Sequence, residues 1–284
     1  MLIQEFLNLC PEIEERAKRF LSNPTFIKKE LEKAQKETAY FLYGIGGKVI
    51  PRGVLNPNPF IEMNVTNVTR GKLVCKEPKR DTYYTYAFDQ DDRLLYVRNK
   101  CDIPSVEVIV RDGTYIWGLE ISESELDCPK DSFVRVHGAI VKDEHVVAVF
   151  YTHKYFLKPG FETGHHIEAD LIHYENRIPV QNVRWLKIRI NREENGKIEN
   201  IVPIRGEVWH LIPNDKGDIV KFFVENIIDP VSMSKYGFHS WIKELEPVST
   251  SKYGVLIIPS KYGVLSLEKP VPRSKWEALP RGLV

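Results

Sequence analysis

The stretch "GHHIEADLIHYEN" at residues 164–176 holds the densest set of side chains able to do chemistry. A β-strand turns successive residues to opposite faces, so His166, Glu168 and Asp170 fall on one side and His165, Ile167, Ala169, Leu171 and His173 on the other. Alternate strand residues stand about 6.5–7 Å apart. At that spacing two of the polar trio can share a metal ion while the third acts as a base or steadies a ligand. This gives a metal-dependent hydrolase built on His166, Glu168 and Asp170. The simpler alternative is that Ile167, Ala169 and Leu171 are a core face and the trio is the wet side of the same strand. No second cluster with ligand spacing accompanies the trio, which favours the simpler alternative.

Other chemistries find less support. There is no Gly-x-Ser-x-Gly elbow, His-Glu-x-x-His helix or paired-carboxylate signature. "GIGGK" at residues 44–48 invites a phosphate loop, which requires a strand before it, a helix after it, and Ser or Thr after the lysine. Here the pattern runs from helix to strand, and Val49 follows Lys48. Cys10, Cys75, Cys101 and Cys128 form no Cys-x-x-Cys pair, so a zinc ribbon and a thioredoxin-like pair are not expected. Acidic neighbours around Cys128 disfavour a reactive thiolate. The balance is against an enzyme, and no cofactor is expected.

The elements that would position these residues fall into three segments. Residues 1–47 read as helical. Ile13, Ala17, Phe20 and Leu21 share one face. "SNP" at residues 22–24 breaks that helix and caps the next, in which Ile27, Leu31, Ala34, Thr38 and Phe41 recur at spacings of three and four. Residues 48–230 change period. Short runs rich in Val, Ile, Tyr and Phe alternate with turns near Asp112-Gly113, residues 142–144, 191–196 and 214–218. Sequential hairpins of this kind imply a mainly β protein: an antiparallel β-meander, as a sandwich or a strongly twisted open sheet, with an N-terminal helical segment. Residues 231–284 form a C-terminal extension. There "SKYGVL" occurs twice, nine residues apart, and each copy is expected to lead into a short strand packed on the core.

One hairpin stands out. In "YTYAFDQDDRLLYVRN" (residues 84–99), a loop at residues 89–92 would place Tyr86 opposite Leu95 and Tyr84 opposite Val97, making one apolar face. The other face, with Tyr83, Thr85, Ala87, Leu94, Tyr96 and Arg98, would set Tyr83 against Arg98 as a cation–π pair. Such a ladder is first of all a core feature, and Tyr83, Tyr96 and Arg98 are the candidate binding residues if it is a contact surface instead. Its aromatics, Asp89 and Arg93-Leu94 resemble one copy of the tyrosine–aspartate (YD) repeats of bacterial Rhs-type polymorphic toxins. It differs from them in the inserted Ala87-Phe88 and in Asp92, where those repeats have glycine. The resemblance implies a shared hairpin chemistry and the context of toxin systems.

Composition bounds the remainder. With 43% hydrophobic and 28% charged residues and a net charge of +1, the chain is that of an ordinary globular protein without the basic excess that nucleic-acid binding leaves. No run reaches the roughly 18 apolar residues of a membrane span, and the first residues do not read as a secretory signal, so a cytoplasmic location is expected. The function these features favour is that of a protein-binding protein whose partner is a toxin domain: an immunity protein. A structural protein of a phage or secretion particle is the third alternative.

Overall fold

The computed structural model describes the backbone of residues 12–13, 15–20, 23–46, 71–79, 82–101, 103–126, 134–142, 145–155, 161–194, 197–201, 204–228, 249–250, 256–259 and 265–271. These residues divide between two compact units, one reaching to His153 and one starting at Lys154. In both, every strand pairing is antiparallel, and neither strand path closes on itself. The mainly β, antiparallel class with helix near the N-terminus is therefore the one its alternating patterns predict.

The first unit begins with helical residues 15–20 and helix α1 (Pro24–Glu37). Asn23 caps α1, its Oδ1 accepting the Phe26 N–H at 3.1 Å, and Pro24 occupies the first turn, where no N–H is needed. Ile13, Ala17 and Phe20, then Ile27, Leu31 and Ala34, are buried, which is the apolar stripe of the sequence pattern. Burial of a side chain the size of Ile27 or Leu31 contributes about 1.5–3 kcal/mol.

The helix stops four residues earlier than its stripe suggests. Thr38 is extended and its Oγ1 donates back to the Ala34 carbonyl at 2.8 Å. Residues after it form strand β1 (Tyr40–Ile45), so the segment expected to be helical over residues 1–47 contains a strand. Aromatic and aliphatic residues in succession suit a pleated surface. Tyr40 stacks on Phe88 at 5.2 Å, Leu42 enters the core, and Phe41, expected to face the core from a helix, is 42% exposed. A strand, not a helix, therefore precedes the glycines of "GIGGK", and Gly46 at φ +78° ends it. Of the arguments against a phosphate loop, the absence of Ser or Thr after Lys48 still holds.

Strands β2 (Lys72–Val74), β3 (Tyr83–Phe88), β4 (Leu94–Lys100), β5 (Ser105–Asp112), β6 (Tyr115–Ser122), β7 (Arg135–Lys142) and β8 (His145–Tyr155) follow. Their spatial order is β2-β1-β3-β4-β5-β6-β7-β8. β3 pairs with β1, and from β4 on each strand lies beside the one before it in sequence, as in a meander. One face receives the helices: α1 packs over β4 and β5, and Phe20 meets Trp117 at 5.1 Å. The opposite face carries a core of Leu42, Tyr86, Phe88, Leu94, Val97, Ile109, Ile116, Ala139 and Val149. Both faces are thus apolar, and three successive residues of β8, Ala148, Val149 and Phe150, are buried.

The β3–β4 hairpin differs from its expected register. The Asp89 N–H donates to the Arg93 carbonyl, Asp89 Oδ1 accepts the N–H groups of Asp91 and Arg93, and Asp92 adopts φ +63°. This tight loop is followed by a bulge. Phe88 pairs with Leu94, Ala87 with Tyr96, and Leu95 is the extra residue. Tyr86 consequently faces Val97 rather than Leu95, and Tyr83 faces Lys100 rather than Arg98. The shift is two residues along most of the ladder, so the faces of the tyrosines are preserved. Only Leu94 and Leu95 exchange roles, and Leu94 joins the core.

The second unit contains β9 (Phe161–Glu175), β10 (Ile178–Glu194), β11 (Lys197–Ile201), β12 (Ile204–Pro213), β13 (Ile219–Ile228), β14 (Ser249–Thr250), β15 (Leu256–Pro259) and β16 (Leu265–Val271). Its path is β9-β10-β12-β13-β15-β14, with β11 on β10 and β16 on β13. Asn176 and Arg177, both at positive φ, close the β9–β10 hairpin. β11 and β12 share one register against β10: Glu194 pairs with Lys197, and Gln181 with His210. The two "SKYGVL" copies end on Leu256 and Leu265, the first residues of β15 and β16, and both strands lie on β13. Their Tyr-Gly turns lie outside the described residues.

The helical residues are tied to the β5–β6 turn. Arg16 Nη1 and Arg19 Nη2 both donate to Asp112 Oδ2, at 3.1 and 2.5 Å, and the Arg16 guanidinium lies 4.4 Å above the Tyr115 ring. The Arg19 hydrogen bond, aided by both guanidinium charges, holds the Asp112 carboxyl below its ordinary value. Burial, then a hydrogen bond to Glu12, pushes the Tyr115 phenol up to about 12. A depressed carboxyl stabilises the fold above its unfolded pKa and loses that contribution as pH falls through the folded one. A raised phenol stabilises below its unfolded pKa and loses that contribution as pH rises toward the folded one.

Two measurements test this arrangement. Tyr86→Ala should cost about 3–5 kcal/mol in urea melts, whereas Phe41→Ala should cost about 1 kcal/mol or less. A Phe41 cost equal to that of Tyr86 would mean that residue 41 faces a core. Asp112→Asn should lie below the wild type in stability by a constant amount above about pH 4, with the gap closing as the pH falls toward 2. A gap that widens in acid would contradict the ion pairs.

Candidate functional site

Of the three aromatic-ladder candidates the structure brings together Tyr96 and Arg98 but not Tyr83, and the two tyrosines are buried. Tyr83 is 6% and Tyr96 5% exposed. Tyr83 donates its phenol hydrogen to Glu77, receives a hydrogen bond from Lys100 Nζ at 3.2 Å, and has that ammonium 4.9 Å from its ring centre. The Glu77 acceptor raises the Tyr83 pKa. The cation–π pair expected between Tyr83 and Arg98 is therefore made by Lys100. Arg98 instead lies 5.8 Å over Tyr96, with its Nε 3.4 Å from Glu123. Beside Tyr83, a cavity of about 350 Å³ opens between Gly44, Gly46, Thr82, Tyr84, Asn99 and Cys101. Cys75 and Cys101 are free thiols, and Cys10 and Cys128 lie outside the described residues.

Of the His166, Glu168 and Asp170 trio, only the Asp170 side chain lies within the described residues. Asp170 is buried opposite Arg184 on β10. Arg184 Nε and Nη2 donate to its two oxygens at 2.9 and 3.4 Å, and Asn182 Nδ2 donates to Oδ1 at 3.1 Å. Ladder position puts Glu207 of β12 on the other side of Arg184, and Glu207 Oε2 accepts the Trp209 indole N–H at 3.0 Å. Asp170 thus anchors a buried charge network, a requirement that strand alternation alone does not reveal.

On the opposite face of the second unit, His173, Gln181, His210 and Phe223 stand side by side on β9, β10, β12 and β13. His173 is exposed and the other three are half-buried. His210 lies flat on Phe223, with ring centres 4.1 Å apart and planes within 6°. Its Nε2 is 2.7 Å from Glu225 Oε2, and its Nδ1 is 3.4 Å from Gln181 Nε2. A carboxylate only accepts, so Nε2 carries the hydrogen and Nδ1 accepts from the Gln181 amide. The imidazole is held in one tautomer and one orientation, at a partly open surface.

A second constellation lies on the first unit, on the face away from the helices. Glu107 of β5 and Glu120 of β6 are direct cross-strand partners. Both are buried, at 3% and 8% exposure, as is His137 of β7 at 4%. Glu120 Oε1 accepts from Ser105 Oγ at 3.1 Å and lies 3.6 Å from Arg135 Nη1, while its Oε2 lies 3.4 Å from His137 Nε2. Glu107 Oε1 is buried and has no hydrogen-bond partner. Gly118 makes room for it, because a Cβ there would fall 2.1 Å from that oxygen. The sequence does therefore contain paired carboxylates. Their signal is the Gly113-Thr114 loop, which pairs Asp112 with Tyr115 and, five residues on, Glu107 with Glu120. The turn expected over residues 191–196 is shorter than that, since β10 runs on to Glu194; Glu194 pairs with Lys197, and the same register carries through to Gln181 and His210.

No family model matches the chain, and no similar protein was found among curated proteins or solved structures. Among the described residues no three His, Cys, Asp or Glu side chains group closely enough to hold a metal ion together. No helix among them is long and apolar enough to cross a membrane.

The buried pair supplies a test. Arg184→Ala leaves the Asp170 charge uncompensated and should cost about 3–5 kcal/mol. Adding Asp170→Ala should recover part of that loss, because the stranded charge is then gone. Full additivity of the two changes in denaturant melts would mean that the pair is not coupled.

Proposed function

We propose that this protein works by binding another protein, and that it is an immunity protein which holds a toxin domain inactive in the cytoplasm. The observation that supports binding is the row of His173, Gln181, His210 and Phe223, with Glu225 beside it. Four strands at about 4.8 Å spacing make a strip about 14 Å wide. A row of that width across four strands, part aromatic and part polar, is the composition of a protein contact. Stacking on Phe223 and the bond to Glu225 hold His210 in place before any partner arrives, which lowers the ordering cost of association. The toxin context rests on the YD-like hairpin at residues 84–97.

The test combines capture and rescue. The chain is expressed with each toxin domain encoded beside its gene, and growth and co-purification are scored. One of these toxins should co-purify and lose its toxicity. The double variant His210→Ala, Phe223→Ala should bind at least about ten-fold more weakly, equivalent to about 1.4 kcal/mol or more, with an unchanged circular dichroism spectrum. Absence of rescue by any neighbour removes the immunity role, and full binding by the double variant removes this surface.

A further inference from the structure

We infer that Glu107 and Glu120 form a binding site for a hard divalent cation, a role separate from the partner surface on the second unit. Like charges placed directly opposite across a ladder destabilise a sheet, and burial increases the cost. Here the two carboxylates face each other at a separation of about 4.5–5.5 Å between Cβ atoms, on a face where Ser105, Arg135 and His137 all turn to Glu120. Glu120 is fully employed by Ser105, His137 and Arg135. Glu107 is not: its Oε1 is buried, has no donor, and lies over the bare Cα of Gly118, between Glu120 and His137. A buried acceptor without a donor is a liability that a sheet position could remove with any apolar residue.

A cation resolves the conflict. It supplies the missing charge to Glu107 and screens the two carboxylates from each other. The available donors are carboxylate oxygens and the Ser105 hydroxyl, which favour a hard ion of the magnesium, calcium or manganese type over a thiophilic one. One or two carboxylates are the protein's contribution to many magnesium sites, where water completes the shell, so a third acidic or histidine ligand is not required for that ion. His137 then has a positioning role: through its contact with Glu120 Oε2 it orients that carboxylate.

The experiment uses the full chain, stripped with chelator and titrated with MgCl₂, CaCl₂ or MnCl₂. Calorimetry and thermal melts are the readouts. At least one ion should bind with a stoichiometry near one and raise the melting temperature. Glu107→Gln should melt higher than the ion-free wild type, because its amide can donate to Glu120, and it should no longer respond to the ion. The proposal is overturned if none of the three ions binds, if Glu107→Gln still binds the ion, or if that variant is less stable or fails to fold. His137→Ala should weaken binding about 10–100-fold without abolishing it.

Discussion

Strand register is the constraint on which the other features of this protein depend. A strand alternates its side chains with a period of two, so a slip of one residue moves every side chain to the opposite face. In the first unit the β5–β6 hairpin sets this register. Its two-residue loop, with Gly113 at φ +62°, pairs Asp112 with Tyr115. From that single pairing it follows that Val106, Val108, Trp117, Leu119 and Ile121 face the helices. Glu107, Ile109, Ile116, Gly118 and Glu120 face the other way. A one-residue slip would put Trp117 among the carboxylates and Glu120 beneath the helices.

Packing against the helices makes this register costly to change. Phe20, Tyr115, Trp117 and Phe150 form contacts with ring centres 5.0–6.4 Å apart. Gly138 is part of the same arrangement, since a Cβ on it would fall inside the Phe150 ring. Arg16 and Arg19 reach from the helical residues to Asp112 at the end of this hairpin. Half-exposed ion pairs of this sort contribute little next to the apolar burial of Ile13, Ala17 and Phe20. They specify where the helix lies more than they hold it there.

The polar groups inside the sheets are satisfied to different degrees. Asp170, Arg184 and Asn182 share hydrogen bonds in a compact network, and Glu225, His210 and Gln181 form a chain at the surface. Both arrangements fix orientation, one in the interior and one where a partner can reach it. Asn182 Oδ1, Trp117 Nε1 and Glu107 Oε1 are buried without a hydrogen-bond partner, and of these only the Glu107 oxygen belongs to a carboxylate. Local conflicts of this kind concentrate where a protein has a use for them, which is why a cation rather than a packing explanation suits the position.

The sequence by itself determined the class of fold and most of its punctuation. Alternating apolar runs, Asp112-Gly113 and the loop at residues 214–218 mark hairpins that a chain with these turns makes locally, whereas the turn expected over residues 191–196 overran strand β10, which continues to Glu194. Asn23-Pro24 marks a helix start for the same reason: the cap and the fixed φ act within one turn. Tertiary structure decided what local signals leave open. Residues 38 and 41 continue the helical stripe of α1, yet pairing with β3 draws the chain into β1, because the strand puts Leu42 into the core and Tyr40 on Phe88 while its ladder satisfies the backbone as well as a longer helix would. The bulge at Leu95 depends on how the loop at Asp89 closes, and it moved Tyr83 from Arg98 to Lys100. Burial is the last such decision. Tyr83 and Tyr96 became packing residues because other elements cover them. Asp170 acquired Arg184, and Glu107 acquired Glu120, because each partner sits on the adjacent strand, more than ten residues away in the chain.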